Sequence, residues 1–169
     1  MIRTDIRAHS PAVPLIQSLL KGDVIFTNFE TTIFDPSKGQ AHRRTLRLAA
    51  GGDGSAEDVR FKLLSLANNH SFDLKTAGVQ NGLEQSARLN MAHAGVGKTI
   101  DEAMAPGYLE TPKGTVALIA MASGLVPDGG NATASRAGVN ELLYPAINRA
   151  TKIRAAFSRA SAKPTRKQT

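Results

Sequence analysis

Polar side chains stand together in the stretch Ser65–Asp73, with the sequence SLANNHSFD, directly after a run of apolar residues. Asn68, Asn69 and His70 are consecutive, and Asp73 follows three positions after the histidine. Amides, an imidazole and a carboxylate are costly to bury and contribute little to packing. Their position at the end of a predicted buried strand therefore indicates a use in binding or catalysis.

A second polar cluster follows another apolar run. Val24–Phe26 is predicted to start a short strand, and Asn28 and Glu30 come at its end. Because these two residues are two positions apart, an extended chain points both side chains to one face. Oxygen and imidazole ligands from two strand ends suit a hard or borderline divalent ion such as Mg, Mn, Zn or Fe.

The residues alone also allow a reading without function. In that alternative, Asn68 and Asn69 cap turns and His70 is a hydrogen-bonded loop residue.

The elements that must position these clusters alternate between strands and helices. Residues 31–60 carry turn residues without a clear period and are predicted to be mostly loop. Periodicity and turn signals predict the following elements: a helix at 11–20, strands at 24–26 and 61–67, a long helix at 74–92, a short strand or turn at 93–97, a helical turn at 100–104, a β-hairpin with arms 108–111 and 115–122, and a helix within 146–160.

This order predicts a layered α/β domain with a central, mostly parallel sheet buried on both faces. Strands near residues 23–28, 62–67 and 115–122 are expected to be neighbours in it, because all three runs are apolar. Ligands of such sheets bind at the carboxyl ends of the strands, where loops from different strands converge. Both polar clusters fall at ends of that kind.

Composition limits the classes of partner. The 169 residues are 41% hydrophobic and 21% charged, which suits one soluble domain. Of the net charge of +7, six units come from residues 151–169, which contain no acidic residue. Residues 1–150 carry the remaining +1. That basic tail is expected to be solvated or disordered, without a specific nucleic-acid partner. Its basic residues are Lys152, Arg154, Arg159, Lys163, Arg166 and Lys167.

Other segments exclude further classes. No apolar run approaches the roughly 18 residues of a membrane-spanning helix, and the opening MIRTDIRAHS has no apolar core of a signal peptide. A cytoplasmic location is the default expectation, and the oligomeric state is left open. The absence of cysteine excludes disulfides and thiolate chemistry.

Two motifs together resemble a known family. KGDVIFTNFETTI at residues 21–33 and LLSLANNHSFDLKTAGVQNGL at residues 63–83 are similar to the CapA family of capsule and poly-gamma-glutamate synthesis proteins. Matching features extend through residues 92–124. The domain of that family resembles calcineurin-type metallophosphoesterases. The resemblance implies an incomplete layered α/β domain of that type over residues 1–141, followed by a helical or disordered basic tail over residues 142–169.

The resemblance also implies roles for individual residues. Asn28, Glu30, Asn69 and His70 would be metal ligands, with Glu30 as the carboxylate that bridges two ions. His70 would act as the acid in phosphoryl chemistry, and Asp73 would orient it. The cofactor would be a weakly or incompletely bound divalent ion (Mn, Zn, Fe or Mg). If active, the protein would be a phosphoester hydrolase whose partner is an acidic polymer or a phosphoester.

Some expected parts of the family pattern lie outside the chain. The first acidic motif would precede Ile2, and the later histidine motifs would follow Glu141. Residues 45–60 and 142–169 turn rich in Arg, Ala, Gly and Ser and are expected to depart from the family. These features suggest a truncated or frame-shifted copy that holds at most half of a two-metal ligand set.

Two other classes compete with the enzyme. GVGKT at residues 95–99 imitates the end of a phosphate-binding P-loop, but the required earlier glycine is Ala92, and Pro106 cuts short the helix that should follow. The other class is a non-catalytic binding or assembly module of a capsule-polymer system, which would hold a polyanion through its surplus of Lys and Arg.

Overall fold

The structure, a computed structural model, describes residues 12–34, 47–49, 61–124, 126–142 and Ser158. In chain order the elements are α1 (Ala12–Leu19), β1 (Phe26–Asn28), β2 (Thr32–Phe34), β3 (Arg47–Ala49), β4 (Leu63–Ser65), α2 (Lys75–Arg88), β5 (Ala92–Ala94), β6 (Val96–Gly97), α3 (Ile100–Met104), β7 (Gly107–Thr111), β8 (Gly114–Leu118) and β9 (Gly138–Val139).

A three-stranded parallel sheet in the order β1-β4-β5 lies at the centre. Leu63 and Leu64 of the middle strand are both buried, although neighbouring side chains of a strand point to opposite faces. Both faces of β4 are therefore covered, which explains its uninterrupted apolar sequence. The predicted α/β class with a central parallel sheet is confirmed.

Helix α2 packs on this sheet and returns the chain from β4 to β5. It contacts β2, β5, β6 and β9. Asn90 ends it with a φ of 51°, and the N–H groups of Asn90 and Met91 donate to the carbonyls of Ala87 and Ser86. This pattern is a Schellman motif, in which an asparagine takes the left-handed position. The predicted helix of residues 74–92 is thus confirmed, although it begins one residue later and ends four residues earlier than predicted.

One predicted sheet neighbour is wrong. Residues 114–118 form strand β8, whose one partner among the described strands is β7, in a separate antiparallel hairpin, whereas β5 is the third strand of the central sheet. Thr115 and Ala117 are exposed, while Val116 and Leu118 are half-buried. The apolar composition of this run therefore does not reflect burial on both faces.

The prediction of mostly loop over residues 31–60 is also incomplete, since β2 and β3 pair in parallel within it. The predicted first helix is confirmed as α1, which leaves Leu15 and Leu19 at 66% and 78% exposure. The predicted helix within residues 146–160 lies outside the described residues apart from Ser158. None of the helices in the described part combines the length and apolarity needed to cross a bilayer.

Two glycines give a test of this packing. A Cβ added at Gly107 of β7 would lie 2.1 Å from the backbone oxygen of His93 in β5, whereas one at Gly82 of α2 meets no described atom within 4 Å. Gly107→Ala should lower the free energy of unfolding by about 2 kcal/mol or more. Gly82→Ala should raise it by about 1 kcal/mol, because alanine favours the helix. Urea denaturation measures both, and an unchanged midpoint for Gly107→Ala would contradict the contact between β7 and β5.

Candidate functional site

The carboxyl ends of β1 and β4 place the two polar clusters side by side. The strands pair in parallel with Asn28 opposite Ser65, and the N–H of Phe29 donates to the carbonyl of Ser65 at 2.9 Å. Residues 28–30 and 68–73 consequently leave the sheet at the same edge. We call these two segments the polar edge.

Asn68 connects the two segments. Its side chain is buried, and its Nδ2 donates to the Phe29 carbonyl at 3.0 Å and to Asn28 Oδ1 at 3.3 Å. Its Oδ1 accepts the backbone N–H of His70 at 3.0 Å. A carbonyl can only accept and an N–H can only donate, so these partners fix the orientation of the amide.

The hydrogen bonds continue from Asn28 to Glu30. Asn28 Nδ2 donates to Glu30 Oε1 at 3.0 Å, while Asn28 Oδ1 receives the bond from Asn68. The polar edge thus contains a directed chain of hydrogen bonds that begins at the His70 N–H and ends at a carboxylate. Successive bonds of one direction polarise each other, and the carboxylate accepts the last of them.

Ser71 holds the turn that carries Asn68. The backbone N–H of Asn68 donates to Ser71 Oγ at 3.2 Å. The Ser71 hydroxyl lies within hydrogen-bond distance of both the Leu66 carbonyl and Asn68 Oδ1. Because it has a single proton, it donates to one of them at a time. The start and the end of the turn are therefore fixed to each other through one buried hydroxyl.

His70 is held by a carboxylate. Its Nδ1 lies 2.9 Å from Asp73 Oδ2, and the side chains of His70 and Asp73 are 39% and 21% exposed. When Nδ1 carries the proton and donates it to Asp73, Nε2 is the ring nitrogen that can bind a ligand or a proton. The structure places Asp73 where the resemblance implied an orienting residue.

The predicted site residues differ in how closely the structure joins them. Asn28 and Glu30 contact each other, and the backbone of His70 is joined to them through Asn68. Asn69 lies between Asn68 and His70 with an exposed side chain. Within the described ranges, no group of three or more His, Cys, Asp or Glu residues is placed to hold a metal ion. Convergence of the four predicted ligands on one ion remains a prediction.

The sequence reasoning missed Asn68 and Ser71 as the residues that build the edge. In the reading without function both Asn68 and Asn69 cap turns, and the family resemblance assigns only Asn69 to the metal. The signal that could have found Asn68 is its place directly after the buried Leu66 and Ala67, where the chain has not yet left the core.

The structure around residues 95–99 is not that of a P-loop. Val96–Gly97 is strand β6, paired antiparallel with β9, and the helix that follows has five residues. The carboxylate of Glu102 accepts the Lys98 N–H at 2.8 Å, and Thr99 Oγ1 accepts the Glu102 N–H. The Lys98 N–H, which would contact a phosphate in a P-loop, thus donates to Glu102, and the Thr99 hydroxyl caps helix α3.

Comparison with known proteins decides the family. The sequence profile of the family described as bacterial capsule synthesis protein PGA_cap matches residues 3–166. The chain belongs to this capsule synthesis family. The resemblance to CapA proteins and to their metallophosphoesterase-like fold is thereby confirmed. The matched range includes residues 45–60 and extends past residue 142. The predicted boundary between residues 141 and 142 stays a prediction.

Two relatives from Sinorhizobium fredii (strain NBRC 101917 / NGR234) are each 34% identical to this capsule synthesis family member. They are the uncharacterized proteins y4sH, similar over 83% of this chain, and y4uA, similar over 79%. The matched regions are 33% and 32% of the relatives' own lengths. The chain therefore spans about a third of these proteins.

The amide of Asn68 offers a stability test with a neighbouring control. Asn68→Asp places an oxygen opposite the Phe29 carbonyl and Asn28 Oδ1, two groups that can only accept where they now receive hydrogen bonds. We expect the free energy of unfolding at pH 7 to fall by at least about 2 kcal/mol. The loss should be smaller at acidic pH, where a protonated carboxyl can donate again.

Asn69→Asp is the matched control, because its side chain is exposed. It should change the free energy of unfolding by no more than about 0.5 kcal/mol. Equal effects of the two substitutions in urea titrations would contradict the buried role of Asn68.

Proposed function

We propose that this capsule synthesis family member acts on phosphoester groups of a capsule-polymer pathway through a divalent ion held weakly at the polar edge. The observation that carries this proposal is the hydrogen-bond chain that ends at Glu30, beside a turn that carries a histidine held by Asp73. An acidic polymer of the poly-gamma-glutamate type or a phosphoester attached to it is the substrate class that the family suggests.

The chemistry of the donors fits a divalent ion. The edge supplies one carboxylate, two amide oxygens and one imidazole nitrogen, from Glu30, Asn28, Asn69 and His70. Asn28 Oδ1 already accepts one hydrogen bond and keeps one lone pair for an ion. With few protein ligands, water would fill the other positions, and binding would be weak. A divalent ion bound here would polarise a phosphoryl group and activate water.

The residues of the chain have separate tasks in this proposal. Glu30 supplies the negative charge, which Asn28 orients through its 3.0 Å hydrogen bond. His70 would bind the ion through Nε2, while its Nδ1–H donates to Asp73. Asn68 and Ser71 fix the position of the turn that carries His70 relative to Glu30.

A second candidate rests on the charge of the chain. The net charge of +7 would attract an acidic polymer without any hydrolysis. Turnover of p-nitrophenyl phosphate that requires Mn²⁺ and stops with a chelator supports the enzyme. Retention on immobilised polyglutamate without turnover supports a binding or assembly module.

Metal binding tests the site directly. Glu30→Gln and His70→Asn should each weaken Mn²⁺ binding by about tenfold or more, measured by isothermal titration calorimetry, because each removes one of few strong donors. Glu84→Gln, on the exposed surface of α2, is the matched control and should bind as the unmodified chain does. Equal affinities of all four proteins would show that the edge residues are structural.

Asp73→Asn separates positioning from binding. The substitution keeps the size of the side chain but removes the charge that holds His70. Turnover of the phosphoester should fall by about tenfold, and Mn²⁺ affinity should fall by less than it does with His70→Asn, because the imidazole is kept but is no longer oriented. A loss of Mn²⁺ affinity as large as that of His70→Asn would instead make Asp73 a part of the metal site.

A further inference from the structure

Lys75 places an unpaired positive charge beside the polar edge. Its Nζ lies 5.4 Å from the centre of the ring of Phe72, the buried residue that directly precedes Asp73. A cation at this distance is attracted by the face of an aromatic ring, which holds the ammonium in place. The side chain is exposed, and no carboxylate of the described residues forms an ion pair with it. The charge is therefore accessible to an anion from solution.

The backbone at Lys75 does not suit a lysine. Its φ is 56°, in the left-handed region that glycine and asparagine adopt more readily than other residues. Lys75 is also the first residue of α2, where the helix dipole disfavours a positive charge. An asparagine, such as Asn90 with its φ of 51°, would avoid both costs. A lysine at a position that is unfavourable for stability in two ways indicates a use for its charge.

Arg136 places a second unpaired positive charge on the loop before β9. Its Nη2 donates to the Asn131 carbonyl at 3.0 Å, and its Nε is buried without a partner. Nη1 is not among the buried atoms and donates to no group in the part of the chain that the structure describes. No carboxylate in that part pairs with the guanidinium either. Nη1 is thus the nitrogen through which Arg136 can bind an oxyanion.

The turn of residues 127–130 connects the two charges. A 2.7 Å hydrogen bond from the Gly130 N–H to the first carbonyl of the turn closes it. A Cβ added at Gly130 would lie 3.0 Å from Phe72 Cδ1, so the backbone of the turn packs on the ring that Lys75 also contacts. Arg136 Nη1 lies on the same turn, 3.7 Å from the place that a Cβ on the preceding glycine would take. Both cations are therefore grouped around one ring, and that ring belongs to the polar edge.

The arrangement of the two charges favours carboxylates as ligands. Each cation is single and comes from its own segment, so each can match the one negative charge of a carboxylate. A phosphate group, with about two charges and three acceptor oxygens, would call for several donors around one point. A chain of repeated carboxylates can contact both cations at once, and contacts on one chain strengthen each other through their high effective concentration.

We propose that Lys75 and Arg136 bind carboxylate groups of an acidic polymer and hold this polymer along the polar edge. The inference rests on the proposed function, which places the substrate at that edge, and it names the residues that recognise the substrate. The binding itself needs no divalent ion. Recognition of the polymer is thereby assigned to two defined side chains and not to the net charge of the chain.

Binding of fluorescently labelled polyglutamate to the full chain tests this assignment, measured by fluorescence anisotropy in EDTA at physiological ionic strength. Charges farther apart than about 8 Å are largely screened under these conditions, so the affinity reports close contacts. Lys75→Asn and Arg136→Gln should each weaken binding by about fivefold or more, because each removes a charged hydrogen-bond donor. Lys75→Asn should at the same time raise the midpoint of urea denaturation, because asparagine suits the left-handed backbone. A lysine without a ligand would not give weaker binding together with higher stability.

Arg88→Gln is the matched control, because it removes one exposed positive charge from the other end of α2. It should change the polyglutamate affinity by less than about twofold. Six units of the net charge lie in residues 151–169, so attraction by the net charge alone predicts equal effects of all three substitutions. Equal effects would overturn the assignment. If Arg136→Gln does not fold, Lys75→Asn decides alone.

Polyphosphate with the same number of charges separates the two kinds of anion. A dependence on Lys75 and Arg136 that is confined to polyglutamate supports the preference for carboxylates. Tighter binding of polyphosphate, lost equally in both variants, would contradict it.

This test is independent of the proposed hydrolysis, because EDTA removes the divalent ion. Weaker polyglutamate binding by the two variants, without Mn²⁺-dependent turnover of p-nitrophenyl phosphate by the unmodified chain, would support the recognition residues and refute the hydrolysis. Turnover together with equal polyglutamate binding by all proteins would refute only the recognition residues.

Discussion

The buried amide of Asn68 is the constraint on which the polar edge depends. An amide removed from water must have its donor and acceptor groups matched, because each unmatched group costs free energy. Asn68 finds its partners on the loop after β1 and on its own turn. Buried hydrogen bonds therefore fix the relative position of these two segments. The partly exposed side chains that could contact a ligand, such as those of Glu30 and His70, are positioned by the same bonds.

Much of the fold follows from patterns that the sequence shows. Apolar runs bounded by turn residues identify β1 and β4 as neighbours, and helical periodicity identifies α1 and α2. The third strand of the central sheet could not be inferred in this way. Three residues, Ala-His-Ala, carry almost no strand signal, whereas the hairpin arm Thr115–Ala122 is more apolar but lies beside the sheet. Strand order depends on long-range packing, such as the approach of Gly107 to His93, which no local pattern encodes.

The candidate site, like the fold, can be predicted from the sequence only in part. Residue types and spacing locate Glu30 after β1 and His70 and Asp73 after β4, and the contact between His70 and Asp73 follows from their spacing of three in a turn. The sequence does not distinguish Asn68 from Asn69, because two neighbouring asparagines have the same chemistry. The turn fixed by Ser71 decides that one is buried and the other exposed. The buried position of Asn140 depends on contacts with Gly95, Ala120 and Ala122, which are all distant in sequence.

Paramagnetic broadening tests most directly the claim that a divalent ion binds at the polar edge. Mn²⁺ is added in substoichiometric amounts to the ¹⁵N-labelled full chain, with Mg²⁺ as the diamagnetic reference. The amide signals of residues 28–30 and 68–70 should broaden first, before those of the exposed acidic residues on α2 and α3. Broadening that begins at Glu84 or Asp101, or that spreads evenly over the chain while the polar edge stays sharp, would contradict the account.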